Sequence, residues 1–500
     1  MTPRNRLAEA QRRLDHAYRR QRQAAAEQES ADAESAIARS ITDLTMRLGE
    51  LCLASGAGTA RTTQMLRHVA RAYGLPIHVD VTYTRIILSY QPSIAADPIT
   101  IMRSVAPGGV EYDRLTRLET LVARIEEDRL PLPDARDQLR RIVSEPRVYR
   151  RWVLLVAAAV MGGAVAMLLG GSWADILVAF LATGASELVR SELVLKGLAN
   201  FFAQAAAAAV PTLAGLLVMA TAPLLPTAAA VAPSMVIAAG MVALLAGLGV
   251  VTAAGDAIDG YYISAGARVV EVTVMTGGIV MGLVLTLWLG LRLGVPAYIS
   301  PAEGFYTPTA IALVSAGIIA ASFGVLCNMG PRSLVVATGL GVVLWAVYEL
   351  ADAVLVSYPA RVGVAALLVG FLSRLVTRPL RIPMVAMITV GIAPLMPGLL
   401  LYRAIYGFTS TSVGLGDDPS MLLMTCSLTA LALAAGSGFG ANLAGVLLRL
   451  ARMRRERAVR HARAAHPSSR LRSAAHARPQ DVAGPGAPVD TTGSQPVTAS

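Results

Sequence analysis

The stretch WVLLVAAAVMGGAVAMLLG, residues 152–170, runs nineteen positions without a charged side chain. As a helix it would reach about 29 Å at about 1.5 Å per residue, close to the hydrocarbon thickness of a bilayer. A surface helix of a soluble protein keeps a polar face, and this segment has none. It therefore predicts a membrane span, and similar runs follow it. They lie at 173–189, 197–221, 233–253, 266–291, 308–328, 332–350, 353–372, 382–402 and 420–448, which makes ten spans. The second is the most polar, with Asp175, Glu187 and Arg190 in or beside it.

Composition agrees. The chain is 54% hydrophobic and 15% charged, with a mean hydropathy of +0.55, against about 25% charged in a typical soluble domain. The net charge of +11 divides as +5 over 1–151, −1 over 152–448 and +7 over 449–500. The basic excess thus flanks the apolar block, which fits a membrane topology signal and not a nucleic-acid surface. Arg150, Arg151, Arg190, Lys196, Arg332, Arg374, Arg378, Arg381 and the run from Arg449 to Arg457 all fall on one side of ten spans. Arg292, Arg361 and Arg403 fall on the other, with Glu303, Asp417 and Asp418. This bias predicts a multi-pass protein of the plasma (inner) membrane with both termini cytoplasmic. The first apolar run begins only at Trp152, so that run must itself direct insertion.

Outside the spans, residues 1–34 form a charged segment and 35–150 an α+β cytosolic domain. Ile37, Ile41, Leu44, Leu48 and Leu51 recur at helical spacing, and Thr59 opens a second helix that ends at Gly74. IHVDVTYTRIILSY, 77–90, alternates in strand fashion, with ITIMRSV, 99–105, as its partner. Helices follow near 111–129 and 133–145, and the apolar positions suffice for a separate core. The basic tail, 451–500, turns to Ala, Pro, Ser and Gly and is expected to be disordered. Its His461, His466 and His476 share no metal-ligand spacing. Cys52, Cys327 and Cys426 read as buried thiols. No phosphate-binding loop, metalloprotease motif or nucleophile elbow occurs, so the sequence implies no cofactor, no metal and no enzyme chemistry. Ser55, in ASGAG, reads as part of a helix-connecting turn.

Two kinds of feature break the apolar pattern. The first is an ionisable group in or beside a span: Glu187, Asp256, Asp259, Glu271, Glu349, Asp352 and Arg403. Such groups cost free energy in lipid and mark substrate or proton pathways. Glu187 beside Arg190 also reads as an ion pair, Glu349 and Asp352 as groups that meet water where the seventh span ends, and Asp256 and Asp259 as loop acids. The second is a broken helix. IPMVAMITVGIAPLMPGLLLYRAIYG, 382–407, carries Pro394, Pro397 and Gly398 in mid-span, where proline removes a backbone donor. GLGVVTAAGDAIDGYY, 247–262, predicts a second break near Gly247. Each break falls in the fourth helix of a five-helix set, 151–295 and 305–450. Two such sets in tandem have opposite topology, the inverted-repeat plan of many secondary transporters.

Several stretches resemble the threonine/serine exporter (ThrE) family. They are LCLASGAGTARTTQMLRHVARAYGLPIHVDVTYTRIILSY (51–90), GDAIDGYYISAGARVVEVTVMTGGIVMG (255–282), NMGPRS (328–333) and RPLRIPMVAMITVGIAPLMPGLLLYRAIYG (378–407), in family order across 35–450. The resemblance implies outward transport of threonine and serine driven by the proton-motive force. It also implies a transport path that includes Asp256, Glu271, Pro397, Gly398, Tyr402 and Arg403. Where relatives often carry Pro-Gly in the fourth span, this chain reads Ala246-Gly247. In some bacteria the halves resemble separate chains, linked to dicarboxylate export, so a dicarboxylate such as succinate is an alternative cargo. A membrane sensor or scaffold whose cytosolic domain binds a ligand is the alternative from a different class. The expected partners are a small-molecule substrate, protons and the bilayer, and the abundant small residues permit a homo-oligomer.

Overall fold

The computed structural model describes residues 20–22, 33–91, 97–106, 108–222, 231–244, 247–295, 307–380, 382–409 and 418–465. The first described layer is α+β. Helix α1 (33–54) turns at Ser55 and Gly56, whose φ of +93° suits glycine, into α2 (Thr59–Ala72). A three-stranded antiparallel sheet follows, β1 (Ile77–Val81), β2 (Arg85–Tyr90) and β3 (Ile99–Ser104), in the order β1-β2-β3. Its register pairs Val81 with Ile86 and Leu88 with Ile101. Helices α3 (Tyr112–Asp128) and α4 (Leu132–Ser144) complete the layer.

One reading of the sequence needs correction here. Residues 77–90 are not one strand but a hairpin, folded at Thr82–Thr84, where the Thr82 N–H donates to Arg85 O at 2.8 Å. The strand alternation hid the turn because DVTYTR contains no glycine, proline or asparagine to announce it.

Among the described residues, twelve helices make up the apolar part: α5 (Arg151–Leu168), α6 (Trp173–Leu195), α7 (Asn200–Thr221), α8 (Pro233–Leu244), α9 (Gly247–Ile258), α10 (Tyr262–Arg292), α11 (Thr309–Leu326), α12 (Pro331–Asp352), α13 (Tyr358–Leu380), α14 (Met384–Gly391), α15 (Gly398–Thr409) and α16 (Pro419–Ala465). Among the described residues, α5, α7, α10, α11 and α12, with Tyr358–Thr377 of α13 and Pro419–Arg457 of α16, are seven helices long and apolar enough to cross a membrane. This is a polytopic helical membrane protein. The segment 173–189 is helical too, but α6 carries Asp175, Glu187, Arg190 and Glu192 and is not one of the seven. Its Asp175 is structural: with Ser172 it closes a capping box, and it accepts from the Ala232 N–H at 2.7 Å. The fourth segment holds α8 and α9 on either side of 245–246, which lie outside the described residues.

Small residues let these helices approach closely. A side chain on Gly282 of α10 would strike the Ala205 carbonyl of α7, and one on Gly370 of α13 would strike that of Ser437 on α16. The expectation of a separate core for the N-terminal layer is not met. Leu44, Leu66, Tyr112 and Leu118 belong to one continuous buried cluster with Cys327, Met329, Leu340, Val390 and Leu433 of the helices. Helix α16 continues into the basic segment as far as Ala465, and from Gly445 on it belongs to a second compact unit. The rest of the tail, with His466 and His476, lies outside the described residues, as do 1–19 and 23–32.

Candidate functional site

Helix α9 ends in a turn that decides the site. Gly260 adopts φ +85°, the left-handed conformation that closes a helix, and the Tyr261 N–H reaches back to Asp256 O at 2.8 Å. Helix α10 starts immediately afterwards. The tight reversal sets Asp256, on the last turn of α9, beside Arg268, on the second turn of α10. Arg268 Nε donates to Asp256 Oδ2 at 2.8 Å; the Asp256 side chain is buried, 6% exposed, and that of Arg268 is largely covered, 17% exposed. A pair so far removed from water is costly to form, but leaving either partner alone costs more.

Arg268 does more than neutralise Asp256. Its guanidinium lies over the Tyr83 ring, 4.7 Å from the centroid. Tyr83 sits at the tip of the β1–β2 hairpin, and its hydroxyl donates to Glu271 Oε2 at 2.5 Å. Arg268 and Glu271 are three residues apart and so share one face of α10. The result is a chain of four groups, Asp256–Arg268–Tyr83–Glu271, with one member from the N-terminal layer. Burial, followed by the bond to Glu271, raises the Tyr83 phenol from its ordinary 10.0 to about 12. It therefore stays a proton donor at any physiological pH.

Helix α10 has 31 residues, about 46 Å against a hydrocarbon core of about 30 Å. Arg268 and Glu271 are its seventh and tenth residues, so both lie towards the end that meets the N-terminal layer. Glu271 is thus a carboxylate near one end of α10, beside the N-terminal layer.

The N-terminal layer also grips the second half of the chain. Helix α11 ends at Leu326 with Cys327 as its C-cap, and Asn328 follows with φ +50°. The carbonyls of Cys327 and Asn328 accept from the backbone N–H groups of Tyr112 and Asp113, the first residues of α3, at 3.0 and 3.1 Å. A helix C-terminus thus abuts a helix N-terminus, and each supplies the partners the other lacks. Tyr149 adds a hydroxyl bond to Met329 O at 3.0 Å. One layer therefore holds the α9–α10 turn of the first half and the α11–α12 turn of the second.

The second expected feature is a real break. Helix α14 stops at Gly391, a single 3₁₀ turn covers Ala393–Leu395, Met396 is extended, and α15 restarts at Gly398. Pro394 and Pro397 cannot donate, which is why the ladder fails here. Of the carbonyls the prolines leave without their usual donor, Ala393 O accepts from the Met396 N–H at 3.2 Å; the Pro397 carbonyl, which opens α15, accepts from the Leu401 N–H at 3.2 Å and from Cys426 Sγ at 3.6 Å. Gly398 faces Val242 of α8, whose atoms would lie 3.4–3.6 Å from an added side-chain carbon. The broken ninth segment therefore packs against the fourth. Arg403 stands on α15 beyond the break, and the Tyr402 side chain lies outside the described residues.

Other expected groups have local partners. Glu187 forms a two-point pair with Arg190, Glu349 accepts from Trp345 Nε1 at 2.8 Å, and Asp352 pairs with Arg361. Asp259 lies exposed in the α9–α10 turn. The sequence reading missed Tyr83 and Arg268. Arg268 had a visible signal, being a cation inside the segment 266–291; Tyr83 had none.

Comparison with known proteins places these features in context. Residues 43–290 match the family described as "Putative threonine/serine exporter", and residues 312–443 match "Threonine/Serine exporter, ThrE". The chain is 32% identical over 424 residues to the "Probable threonine/serine exporter" of Mycobacterium tuberculosis, covering 82% of this chain and 77% of that protein. It is 32% identical over 394 residues to the "Threonine/serine exporter" of Corynebacterium glutamicum, covering 76% of this chain and 80% of that one. No solved structure matches the chain. The matches run through both halves and include Asp256, Glu271 and the 394–398 break, so this chain belongs to the threonine/serine exporter family of membrane transporters.

Proposed function

We propose that this protein exports threonine and serine from the cytoplasm by alternating access, in exchange for protons moving inward. One observation carries the reading: two carboxylates, Asp256 and Glu271, are held at one mouth of a helix bundle by groups whose bonds depend on the carboxylate charge. Protonating Asp256 removes the charge that holds Arg268. Protonating Glu271 weakens the bond that holds Tyr83. Either event loosens the same joint, which is what a proton-driven conformational step requires.

The rest of the architecture supports the reading. Ten spans arranged as two inverted five-helix repeats account for the fourth and ninth segments meeting at Gly398 and Val242. In that arrangement Asp256, Glu271 and the Cys327–Gly330 turn all fall on the cytoplasmic side, with both termini, in the plasma membrane. The cations nearest the site, Arg190 and Arg268, are each matched by a carboxylate. That balance suits a zwitterion better than a dicarboxylate. A pure sensor or scaffold would not need a helix broken in mid-span.

Inside-out membrane vesicles containing the protein should accumulate radiolabelled threonine when acidified internally, and an uncoupler should abolish the uptake. Asp256→Asn and Glu271→Gln should each cut uptake at least tenfold. Threonine uptake that survives the uncoupler, or both substitutions, would remove the proton-coupling assignment.

A further inference from the structure

A cavity of about 150 Å³ lies between α6, α7 and α10, lined by Arg190, Val194, Asn200, Ala203, Gln204, Glu271 and Met275. At roughly 30 Å³ per water it has room for several waters or for one small amino acid. Its polar lining is uncommonly complete for so small a space. It holds a guanidinium, a carboxylate and two amides, with Val194, Ala203 and Met275 supplying an apolar wall. Gln204 is the decisive member. Its Nε2 donates weakly to Leu244 O at 3.4 Å, but its Oε1 is buried with no hydrogen-bond partner. A buried acceptor left alone is costly, and a ligand that donates to it recovers that cost.

From this lining we infer that the cavity is the cytoplasmic-side recognition site for the amino acid, an assignment that rests on the exporter reading above. Arg190 spends Nε and Nη2 on Glu187; a guanidinium has five donors, so others remain for an α-carboxylate. Glu271 receives the α-ammonium. Gln204 Oε1 accepts the side-chain hydroxyl, which separates threonine and serine from their deoxy analogues, because a site built for a hydroxyl rejects a ligand without one. Glu271 is also the carboxylate that Tyr83 holds. Substrate ammonium and the Tyr83 hydroxyl therefore draw on the same carboxylate charge, and an ammonium that neutralises it weakens the grip of the N-terminal layer on α10.

The test uses the full-length protein in lipid nanodiscs. Cys52, Cys327 and Cys426 are buried, so Val194→Cys, at a position 38% exposed, gives a maleimide-reactive reporter on the cavity wall. Threonine should slow labelling of that cysteine, and 2-aminobutyrate, which lacks only the hydroxyl, should need at least tenfold higher concentration for the same protection. Adding Gln204→Leu should erase the difference between the two ligands. Adding Tyr83→Phe should lower the half-protecting threonine concentration several-fold. Absence of protection in a protein that still carries threonine across vesicles would overturn this site and leave the exporter reading standing. Protection without any flux would do the reverse. Equal protection by both ligands would remove Gln204 as the reader of the hydroxyl.

Discussion

Tyr83 Oη stands 2.5 Å from Glu271 Oε2, a bond between a hairpin tip and a helix 188 positions further along the chain. It ties the N-terminal layer to the first half of the helices, while the Tyr112 and Asp113 amides tie the same layer to the second half at Cys327 and Asn328. If the halves move against each other during transport, at least one of these ties has to give. The Tyr83 bond is the weaker candidate, since it depends on one half-buried hydroxyl. The junction at Tyr112 is a pair of main-chain bonds beside a fully buried side chain.

Tyr83→Phe should therefore loosen the layer without unfolding it. The loss is one hydrogen bond to a carboxylate, worth about 1–2 kcal/mol after allowing for partial exposure. Limited proteolysis of the 77–90 hairpin should be several-fold faster in the variant. Alkaline pH gives a second signature. The phenol is raised to about 12 in the folded protein, so the folded state holds this proton more tightly than the unfolded one. Its contribution is complete below about pH 10 and is lost as pH climbs towards about 12. Thermal stability should fall more steeply over that window in the parent than in Tyr83→Phe.

The buried pair gives a sharper contrast. Asp256→Asn alone leaves Arg268 charged and unmatched, a loss of about 3–5 kcal/mol. Arg268→Gln alone strands Asp256 in the same way. The double variant leaves no unmatched charge, so detergent-solubilised protein should recover most of its melting temperature. If Asp256 carries the proton, threonine uptake should not recover with it. Recovery of both would reduce the pair to a structural bond.

How much of this was legible beforehand differs from feature to feature. The apolar segments were legible because a bilayer imposes a length and a polarity on a span: each segment read from the sequence is largely helical, and among the described residues seven helices are long and apolar enough to cross a membrane. Asp256 and Glu271 stood out for the same reason, as charges where charges are expensive. Their partners did not. Arg268 is separated from Asp256 by a reversal whose geometry depends on Gly260. Tyr83 is brought in by the fold of a separate layer, and its own turn was masked by strand-like alternation. Gln204 was invisible because an amide in an alanine-rich helix carries no signal until its neighbours are known. The helix break at Pro394 and Pro397 was legible because two prolines three residues apart, followed by Gly398, remove two donors within one turn, whereas the single Pro211 leaves α7 continuous.

Asn328 allows a test of the second tie that leaves chemistry untouched. Its φ of +50° places it in the left-handed region, where its carbonyl can meet the Asp113 N–H. Asparagine tolerates that conformation and glycine prefers it, whereas a β-branched side chain pays roughly 1–2 kcal/mol to stay there. Asn328→Gly should keep melting temperature and flux near parental values, and Asn328→Val should lower the melting temperature measurably.

Gly398 supports the most demanding prediction, because it sits where the two halves meet. An added side-chain carbon would find Val242 atoms at 3.4–3.6 Å, ordinary contact distance, so Gly398→Ala fits and should fold. Gly398→Val places two further methyls against Val242 and forces the segments apart, at a typical overpacking cost of about 1–3 kcal/mol. Pro397→Ala acts from the other side by restoring a backbone donor at the break. If the break serves only to fit the helix into its space, the alanine at 397 should stabilise the protein or leave flux unchanged. If the break forms part of the transport path, Pro397→Ala should cut threonine uptake at least tenfold at unchanged expression, with Gly398→Val close behind and Gly398→Ala nearly normal. Radiolabelled uptake in vesicles, normalised to folded protein by size-exclusion chromatography, separates the two. Near-parental flux in Pro397→Ala would assign the break to packing, and the path would then have to be sought at the Asp256–Glu271 mouth alone.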